Sequence, residues 1–369
     1  MKAAVWHGVD DVRLDDVAYP AIEEPTDAIV KITTSALCGT DLHFVRGTVS
    51  DLVEGTVLGH EAVGVVEEIG PHVRNLRVGD RVVIPSTIGC GTCAYCRAGY
   101  FAQCDRANPL GPSAGTCFFG GPESTGPVDG LQAEYARIPF ANIGPVWLPD
   151  EVSDDQAIML SDVYPTAWFG CRLAEVRPGD TVLVLGAGAV GQFAITSAFQ
   201  QGAGRVLCVD GVESRLEQAR CRGAEVVDYR SEDPVAVVTE LTSGIGADRV
   251  VDAVGVDAER PDGTGAPSQA LEWSIEMVAK AGSIGIIGVY PPDLTTYPIG
   301  RAMNKNLTVK MGNCNHRRYV PKLLDLVRRG SIDPSTVLTQ EDELPNVLDA
   351  YATFGERHSG WTKVGLDLS

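Results

Sequence analysis

Two patterns of apolar and polar residues follow one another along the chain. Up to about residue 160, short apolar segments of strand type are separated by Gly and Pro, and they predict strands at residues 27–35, 61–69, 80–84 and 131–138. From about residue 162 to 305, apolar strands alternate with helical segments, at residues 181–185, 189–201, 205–210, 213–222, 249–254 and 283–289. This alternation predicts an α/β protein with a doubly wound parallel sheet behind a β-rich domain.

The remaining segments are less regular. Helices are predicted near residues 318–329 and 344–353 and a strand at 362–368, and we expect this stretch to return to the first domain. Two loops, residues 108–130 and 257–267, are rich in Gly and Pro and too long for tight connections. Long segments of this kind are functional covers or disordered, and the pattern does not decide between the two.

Composition and charge narrow the class of protein. The 369 residues are enough for two domains, and 44% hydrophobic with 21% charged residues is ordinary for a soluble globular protein. The sequence lacks a run of about 18 apolar residues and the apolar core of a secretory signal, so we expect a cytoplasmic protein with no membrane partner. The formal charge of −19 argues against nucleic acid as a partner.

A first candidate metal site lies between Cys38 and Glu61. Cys38, His60 and Glu61 offer a thiolate, an imidazole and a carboxylate, which suit a zinc ion with an open coordination position. Thr40 and His43 follow the cysteine closely and can pass a proton on to water. Taken alone, the cysteine is as well explained as a small core residue and the nearby histidine as a coincidence.

Four further cysteines, Cys90, Cys93, Cys96 and Cys104, follow the spacing C-x2-C-x2-C-x7-C. Four thiolates this close can close a tetrahedron around zinc and leave no position for a substrate, so the predicted site is structural. In bacterial iron–sulfur proteins the last gap is three residues and a Pro follows, whereas here the gap is seven and Asp105 follows. Disulfides or free thiols would also account for these four residues, and the remaining cysteines are interpreted as core or surface thiols.

A glycine-rich segment, GAGAVG from Gly186 to Gly191, follows an apolar strand and opens a predicted helix. Gly186 permits a tight turn, Gly188 lets the backbone approach a pyrophosphate, and Gly191 allows the helix to lie close to the strand. The free N–H groups at the helix N-terminus suit a phosphate. The segment therefore predicts a dinucleotide-binding site.

Asp210 ends the next predicted strand, where a carboxylate accepts hydrogen bonds from the adenosine ribose hydroxyls. Its charge about 4 Å from a 2′-phosphate costs about 1 to 4 kcal/mol per unit charge. This favours NAD over NADP by about fivefold to a thousandfold. A helix-capping Asp is the alternative interpretation.

These motifs, in this order, resemble the zinc-dependent medium-chain alcohol dehydrogenases over essentially the full length. The segment GHEAVG at residues 59–64, with Gly70 and Val73 beyond it, is similar to that family's zinc signature. The resemblance implies a GroES-like catalytic domain at residues 1–161 with the four-Cys zinc lobe at 88–106. It also implies a Rossmann coenzyme domain at 162–305 and a return to the catalytic domain at 306–369.

The resemblance further implies the ligands of a catalytic zinc. They are Cys38, His60 and Asp162, the last because the segment SDVYPT at residues 161–166 is similar to the Asp type of the family. A thiolate, a neutral imidazole and a carboxylate balance the charge of Zn²⁺, while Glu61 lies beside the metal. A helix-start residue is the alternative for Asp162.

Other roles follow from the same resemblance. Thr40 resembles the residue that hydrogen-bonds the substrate oxygen, and His43 resembles the group that takes the proton onward. Thr166 and Val190 resemble residues at the nicotinamide ring. Arg215 resembles the basic residue near the adenosine ribose, with a solvated helix charge as the alternative.

Within the family, the insertion at residues 108–130 and the segments 160–162 and 132–135 are similar to glutathione-independent formaldehyde dehydrogenase. The implied reaction is reversible hydride transfer between a small alcohol, or a hydrated aldehyde, and NAD, carried out by a homodimer or homotetramer. The alternatives are an aldehyde dismutase that keeps NAD bound between turnovers and a non-catalytic nucleotide-binding relative.

Overall fold

The chain divides into two compact units. The computed structural model describes residues 1–108, 110–111, 115–291 and 294–369. The first unit comprises Met1–Pro165 and Cys314–Ser369, and the second comprises Thr166–Asn313. The first unit is therefore built from both ends of the sequence.

The regular elements are numbered in chain order. The strands are β1 (Lys2–Gly8), β2 (Asp11–Asp16), β3 (Ala28–Leu37), β4 (Ala62–Ile69), β5 (Arg81–Ile84), β6 (Tyr135–Ile138), β7 (Val146–Trp147), β8 (Thr181–Leu185), β9 (Arg205–Asp210), β10 (Glu225–Asp228), β11 (Ala247–Asp252), β12 (Val278–Ile286), β13 (Thr308–Met311), β14 (Gln340–Glu343) and β15 (Val364–Asp367). The helices are α1 (Gly39–Val45), α2 (Ala94–Arg97), α3 (Asp154–Ser161), α4 (Val163–Leu173), α5 (Ala189–Gln200), α6 (Glu213–Cys221), α7 (Pro234–Leu241), α8 (Gln269–Met277), α9 (Ile299–Asn304), α10 (His316–Arg328) and α11 (Val347–Gly355). None of these helices combines the length and apolar character that crossing a bilayer requires.

The first unit is organised around a largely antiparallel sheet with the strand order β14-β15-β3-β4-β5-β7, and β6 also pairs with β3. Its inward side chains, such as Ile32, Val66 and Ile84, form an apolar core. In the β3–β4 pair Ser35 lies opposite Ala62. The residues just after β3 and just before β4 therefore emerge at the same edge of the sheet.

Helix α3 is fixed to that edge by polar contacts. Its first turn carries a capping box, in which Gln156 donates its N–H to Ser153 and Ser153 donates its N–H to the Gln156 side chain. At the other end, the Ser161 hydroxyl donates to Ile84 O at 2.5 Å and accepts the Ala62 N–H at 3.1 Å. These bonds hold the residue after α3 close to the start of β4.

The second unit is built on a six-stranded parallel sheet with the order β10-β9-β8-β11-β12-β13. Leu185 at the end of β8 lies level with Val209 of β9 and with Asp252 of β11. Since the chain order reverses between β8 and β11, the carboxyl ends of these strands flank the crevice where open α/β sheets bind their ligands.

Some strand and helix boundaries differ from those that the pattern of apolar residues predicted. The predicted strand 131–138 begins only at Tyr135. The residues before it do not continue the strand ladder, and the amides of Leu131 and Gln132 donate instead to Gly59 O and Leu58 O. The predicted helix 344–353 starts as a short 3₁₀ turn, Leu344–Asn346, before α11.

The long predicted loop 108–130 is tied to the first unit in its described part. Glu123 donates its N–H to Asp51 O at 3.0 Å, and Phe118 forms a β-bridge with Thr87. Cys117 and Phe119 are buried in the core. Residues 109 and 112–114 of this prediction lie outside the described residues. The second loop, 257–267, contains a bridge between Glu259 and Gly265.

Candidate active site

Four side chains that can bind a metal converge in the first unit. Cys38 follows β3, His60 and Glu61 precede β4, and Asp162 follows α3. Their sulfur, ring nitrogen and carboxylate oxygens all lie within 4.8 Å of one another. The structure thus brings together three predicted ligands and the acidic residue predicted beside them.

The distances between these side chains identify the atoms that face the centre of the cluster. Asp162 Oδ2 lies 3.7 Å from Cys38 Sγ and 3.5 Å from His60 Nε2. The other ring nitrogen of His60, Nδ1, lies 3.2 Å from Asp41 Oδ1. Because an ionised carboxylate can only accept, Asp41 favours the tautomer with hydrogen on Nδ1 and leaves Nε2 with its lone pair. Nε2 is therefore the nitrogen of His60 that faces the other candidate ligands.

Asp41 is supported by groups that the sequence did not single out. Its Oδ2 accepts the Cys38 N–H at 2.9 Å and an N–H of Gln132 at 3.3 Å. The Tyr351 hydroxyl in turn donates to Gln132 Oε1 at 2.7 Å. Asp41 lies three residues after Cys38, the residue that precedes α1, and this capping-box spacing could have indicated its role. No pattern in the sequence around Tyr351 indicates its contact with Gln132.

Glu61 forms a buried ion pair with Lys363. Lys363 lies just before β15 and is 1% exposed, and Glu61 is fully buried. The Lys363 ammonium donates to Glu61 Oε1 at 2.5 Å and to Leu37 O at 2.9 Å. Glu61 Oε2 is buried and has no hydrogen-bond partner among the described residues. The pair adds no net charge and leaves one carboxylate oxygen available to a cation or water.

Burial and neighbouring charges shift the pKa values of this cluster. Burial raises the pKa of Cys38, against the effect of His60. Burial alone would lower the pKa of His60, but Asp41 and Cys38 raise it well above its usual value. Burial would raise the pKa of Asp162, but hydrogen bonds from His316 and His60 hold it well below its usual range. A cation at this cluster needs Cys38 as a thiolate and a lone pair on His60 Nε2, so metal binding there is coupled to proton release.

The donor set of this cluster fits zinc. A thiol, an imidazole and a carboxylate are the ligands of three-residue catalytic zinc sites, in which the fourth position stays open. Thr40 and His43 lie on α1, one helical turn apart, and His43 is buried. The Phe118 ring, from the long loop, meets the His60 ring edge to face at 6.0 Å. The loop thus contributes an apolar wall beside the cluster, which its sequence did not indicate.

The four predicted lobe cysteines also come together. Their sulfur atoms lie within 4.8 Å of one another, and backbone N–H groups point at them, as from Cys93 to Cys90 Sγ and from Cys96 to Cys93 Sγ. Burial opposes ionisation of Cys90, but hydrogen bonds from Thr92 and Cys93 lower its pKa to about 6. Burial instead raises the pKa values of Cys96 and Cys104, so a bound cation is needed to hold them as thiolates. Four sulfurs this close together fit a closed tetrahedral zinc site.

The glycine-rich segment lies between β8 and α5 in the second unit. Gly186 has φ of 85°, in the left-handed region. A Cβ atom at Gly191 would overlap Gly186 O, so only glycine fits there. A Cβ at Gly188 would meet no described atom within 4 Å. This open side of the loop fits a pyrophosphate, and Val190 lies in the first turn of the helix that follows.

Asp210 lies at the end of β9, beside that loop. Its Oδ2 accepts the Ala187 N–H at 2.6 Å, and its Oδ1 accepts the N–H groups of Gly211 and Val212 at 2.8 Å each. These bonds hold the carboxylate at the carboxyl edge of the sheet, and they do not cap α6.

The two remaining predicted residues of the coenzyme site lie in helices. Arg215 lies in α6, and its carbonyl accepts an N–H of the buried Gln192 at 2.9 Å. Thr166 lies in α4 and begins the second unit.

Comparison with known proteins agrees with this arrangement. Residues 24–150 match the family model described as alcohol dehydrogenase GroES-like domain, and residues 189–329 match the model described as zinc-binding dehydrogenase. These matches confirm the predicted fold class of a GroES-like domain with a Rossmann domain.

Several relatives match most of the chain. The uncharacterized zinc-type alcohol dehydrogenase-like protein AdhB of Bacillus subtilis is 37% identical over 99% of this chain and 100% of its own. Glutathione-independent formaldehyde dehydrogenase of Pseudomonas aeruginosa is 34% identical over 78% of this chain and 75% of its own. The solved structure of alcohol dehydrogenase TADH from Thermus sp. ATN1 is 33% identical, covers 100% of this chain and 99% of its own, and has a TM-score of 0.87.

Proposed function

Because the chain belongs to the zinc-dependent medium-chain alcohol dehydrogenase family, whose cofactors are zinc and a nicotinamide dinucleotide, we propose that it transfers hydride reversibly between a small alcohol, or hydrated aldehyde, and NAD. The observation that carries this proposal is the convergence of Cys38, His60 and Asp162 on one point in the first unit. A zinc ion held there would supply a Lewis acid, which lowers the pKa of a substrate hydroxyl toward neutrality.

The residues of the chain have separate tasks in this proposal. Cys38 Sγ, His60 Nε2 and Asp162 Oδ2 would hold the metal, and the charges of the thiolate and the carboxylate would balance that of Zn²⁺. The Thr40 hydroxyl would accept the proton of the substrate alcohol while giving up its own, and the His43 imidazole would take up that released proton and pass it to solvent. Phe118 keeps water from one side of the His60 ring, since an aromatic edge occupies that side.

A substrate panel tests the function. We expect the protein with full zinc to reduce NAD with at least one class of small primary or secondary alcohol or hydrated aldehyde, as followed by NADH absorbance. Failure with every member of the panel, while both zinc sites are filled, would favour a non-catalytic relative. Coenzyme that stays bound through dialysis, with equal formation of alcohol and acid from aldehyde, would favour a dismutase.

The choice of NAD over NADP rests on Asp210. We expect Asp210→Asn, which keeps an oxygen acceptor and removes the charge, to raise the ratio of kcat/KM for NADP to that for NAD by about fivefold or more. Asp248→Ala is the control, because Asp248 also accepts a backbone N–H, from Thr181 at 2.8 Å, near the start of β8. An unchanged ratio in Asp210→Asn would show that Asp210 has a purely structural role.

Two glycines of the loop should respond differently to alanine. Gly191→Ala places Cβ against Gly186 O, so we expect a loss of about 1 to 3 kcal/mol in the free energy of unfolding, together with weaker NAD binding. Gly188→Ala meets no described atom, so we expect unchanged thermal stability and a raised Kd for NAD. Tight NAD binding by Gly188→Ala would place the pyrophosphate elsewhere.

We also propose a reducing, cytoplasmic setting, because the lobe cysteines must be reduced to bind zinc. The family resemblance favours a homodimer or homotetramer. Light scattering on the purified protein tests the second point.

A further inference from the structure

One contact of the candidate zinc ligand Asp162 has no part in the function proposed above. His316 is the first residue of α10 and lies 154 residues beyond Asp162 in the chain. Its Nε2 lies 2.6 Å from Asp162 Oδ1, and its side chain is 3% exposed. A buried bond this short between distant parts of the first unit constrains the carboxylate strongly.

The direction of this bond follows from the chemistry of its partners. A carboxylate that binds a metal is ionised and can only accept, so His316 Nε2 carries a hydrogen and donates it. The opposite ring nitrogen, Nδ1, lies 3.1 Å from Thr87 Oγ1. The Thr87 hydroxyl can donate to Nδ1, which is closer than its other acceptor, Cys314 O at 3.4 Å. A bond to Nδ1 favours the tautomer with hydrogen on Nε2 and holds the ring orientation.

The bond divides the carboxylate of Asp162 into two unlike oxygens. Oδ1 is occupied by His316, whereas Oδ2 is the oxygen close to Cys38 Sγ and His60 Nε2. The backbone alone does not impose this orientation, because Asp162 lies at the break between α3 and α4 with φ of −140° and ψ of −63°.

We propose that His316, held by Thr87, is a positioning residue that makes Asp162 a one-oxygen ligand and keeps Oδ2 aimed at the zinc. This proposal rests on the assignment of Asp162 as a ligand in the proposed function. Partners of this kind behind metal ligands typically contribute 10- to 100-fold to metal affinity.

Zinc retention measures this role without relying on activity. The purified protein is dialysed against a chelator for timed intervals, and zinc per chain is measured by plasma mass spectrometry, with the lobe zinc as an internal reference. The second ion is the zinc at Cys38, His60 and Asp162. We expect His316→Ala to lose this ion about 10- to 100-fold more readily than the unmodified protein. We expect His316→Gln to retain it better than His316→Asn, because the Gln amide N–H reaches the position of Nε2 and the Asn amide that of Nδ1.

A matched control separates this effect from the loss of any histidine. His358 also contacts a carboxylate, Glu356 Oε2 at 2.7 Å, but both side chains are exposed. His358→Ala should leave zinc retention unchanged. If the His316 variants lose both ions and thus fail to fold, the near-isosteric variant Thr87→Val tests the proposal instead. We expect Thr87→Val to lose the second ion severalfold faster than the unmodified protein. An unchanged rate of loss overturns the proposal.

The outcomes distinguish this inference from the proposed function. Asp162→Ala serves as the reference in which the second ion is absent. If Asp162→Ala lacks that ion while His316→Ala retains it as the unmodified protein does, the positioning role is wrong and the ligand assignment stands. Equal retention in His316→Gln and His316→Asn would also overturn the role. If Asp162→Ala keeps both ions, the ligand assignment itself fails.

Discussion

Asp162→Ala is expected to lower bound zinc from about two ions per chain to about one and kcat/KM for alcohol oxidation by about a thousandfold or more. The reason is that Asp162 Oδ2 is one of the three donor atoms that converge in the first unit. A Lewis acid contributes several kcal/mol of transition-state stabilisation, and each 1.36 kcal/mol corresponds to about tenfold in rate. Metal analysis and steady-state kinetics on the same preparation measure both losses.

The control for this prediction lies on the same helix. Asp155 is exposed in the first turn of α3, so Asp155→Ala removes one acidic residue nearby without touching the cluster. It should keep the zinc content and rate of the unmodified protein. If Asp162→Ala retained both zinc ions and full activity, Asp162 would be a helix-start residue and no ligand.

Lys363→Met should produce the largest loss of stability. It leaves Glu61 as a fully buried carboxylate without its ion-pair partner. Removing one member of a buried pair typically costs about 3 to 5 kcal/mol, because the remaining charge has no compensation. The denaturant midpoint of the zinc-loaded protein measures this loss.

Two further variants show whether the buried charge is the cause. The double variant Lys363→Met with Glu61→Gln removes both charges and should recover most of the stability. Lys310→Met breaks a half-exposed pair with Glu175, and we expect a loss of at most about 1 kcal/mol. A similarly small loss in Lys363→Met would mean that Glu61 is not held as a charged partner.

The sequence predicted those parts of the fold that local pattern determines. Residues 181–185 and 205–210 form strands as predicted, because each is a continuous apolar run bounded by turn residues. Residues 131–134 were predicted wrongly as strand. The amides of Leu131 and Gln132 donate instead to Gly59 O and Leu58 O, and the Gln132 side chain turns toward Asp41.

The residues of the candidate site also divide into those that the sequence indicates and those that it does not. Short-range spacing led to Cys38, His60 and the four lobe cysteines, and the family resemblance led to Asp162. The structure brings these residues together in two clusters, while their roles as ligands stay predictions until metal is measured.

The supporting residues could not be predicted in this way. Lys363 lies 302 residues from Glu61, and Tyr351 lies 219 residues from Gln132. Pairs at such separations follow from the tertiary fold, and no spacing within the sequence encodes them. Lys363 reaches Glu61 because β15 pairs with β3, with Val364 opposite Leu37. The sequence does not indicate this pairing.

The pairing of β15 with β3 has a consequence for the order in which the protein acquires its metals during synthesis. The four lobe sulfurs come from one short segment, so a nascent chain can capture zinc there as soon as that segment leaves the ribosome. The other cluster gains Lys363 only after β15 has been translated and has paired with β3. Metallation should therefore proceed in two stages, with the lobe first and the other cluster only after β15 has paired with β3.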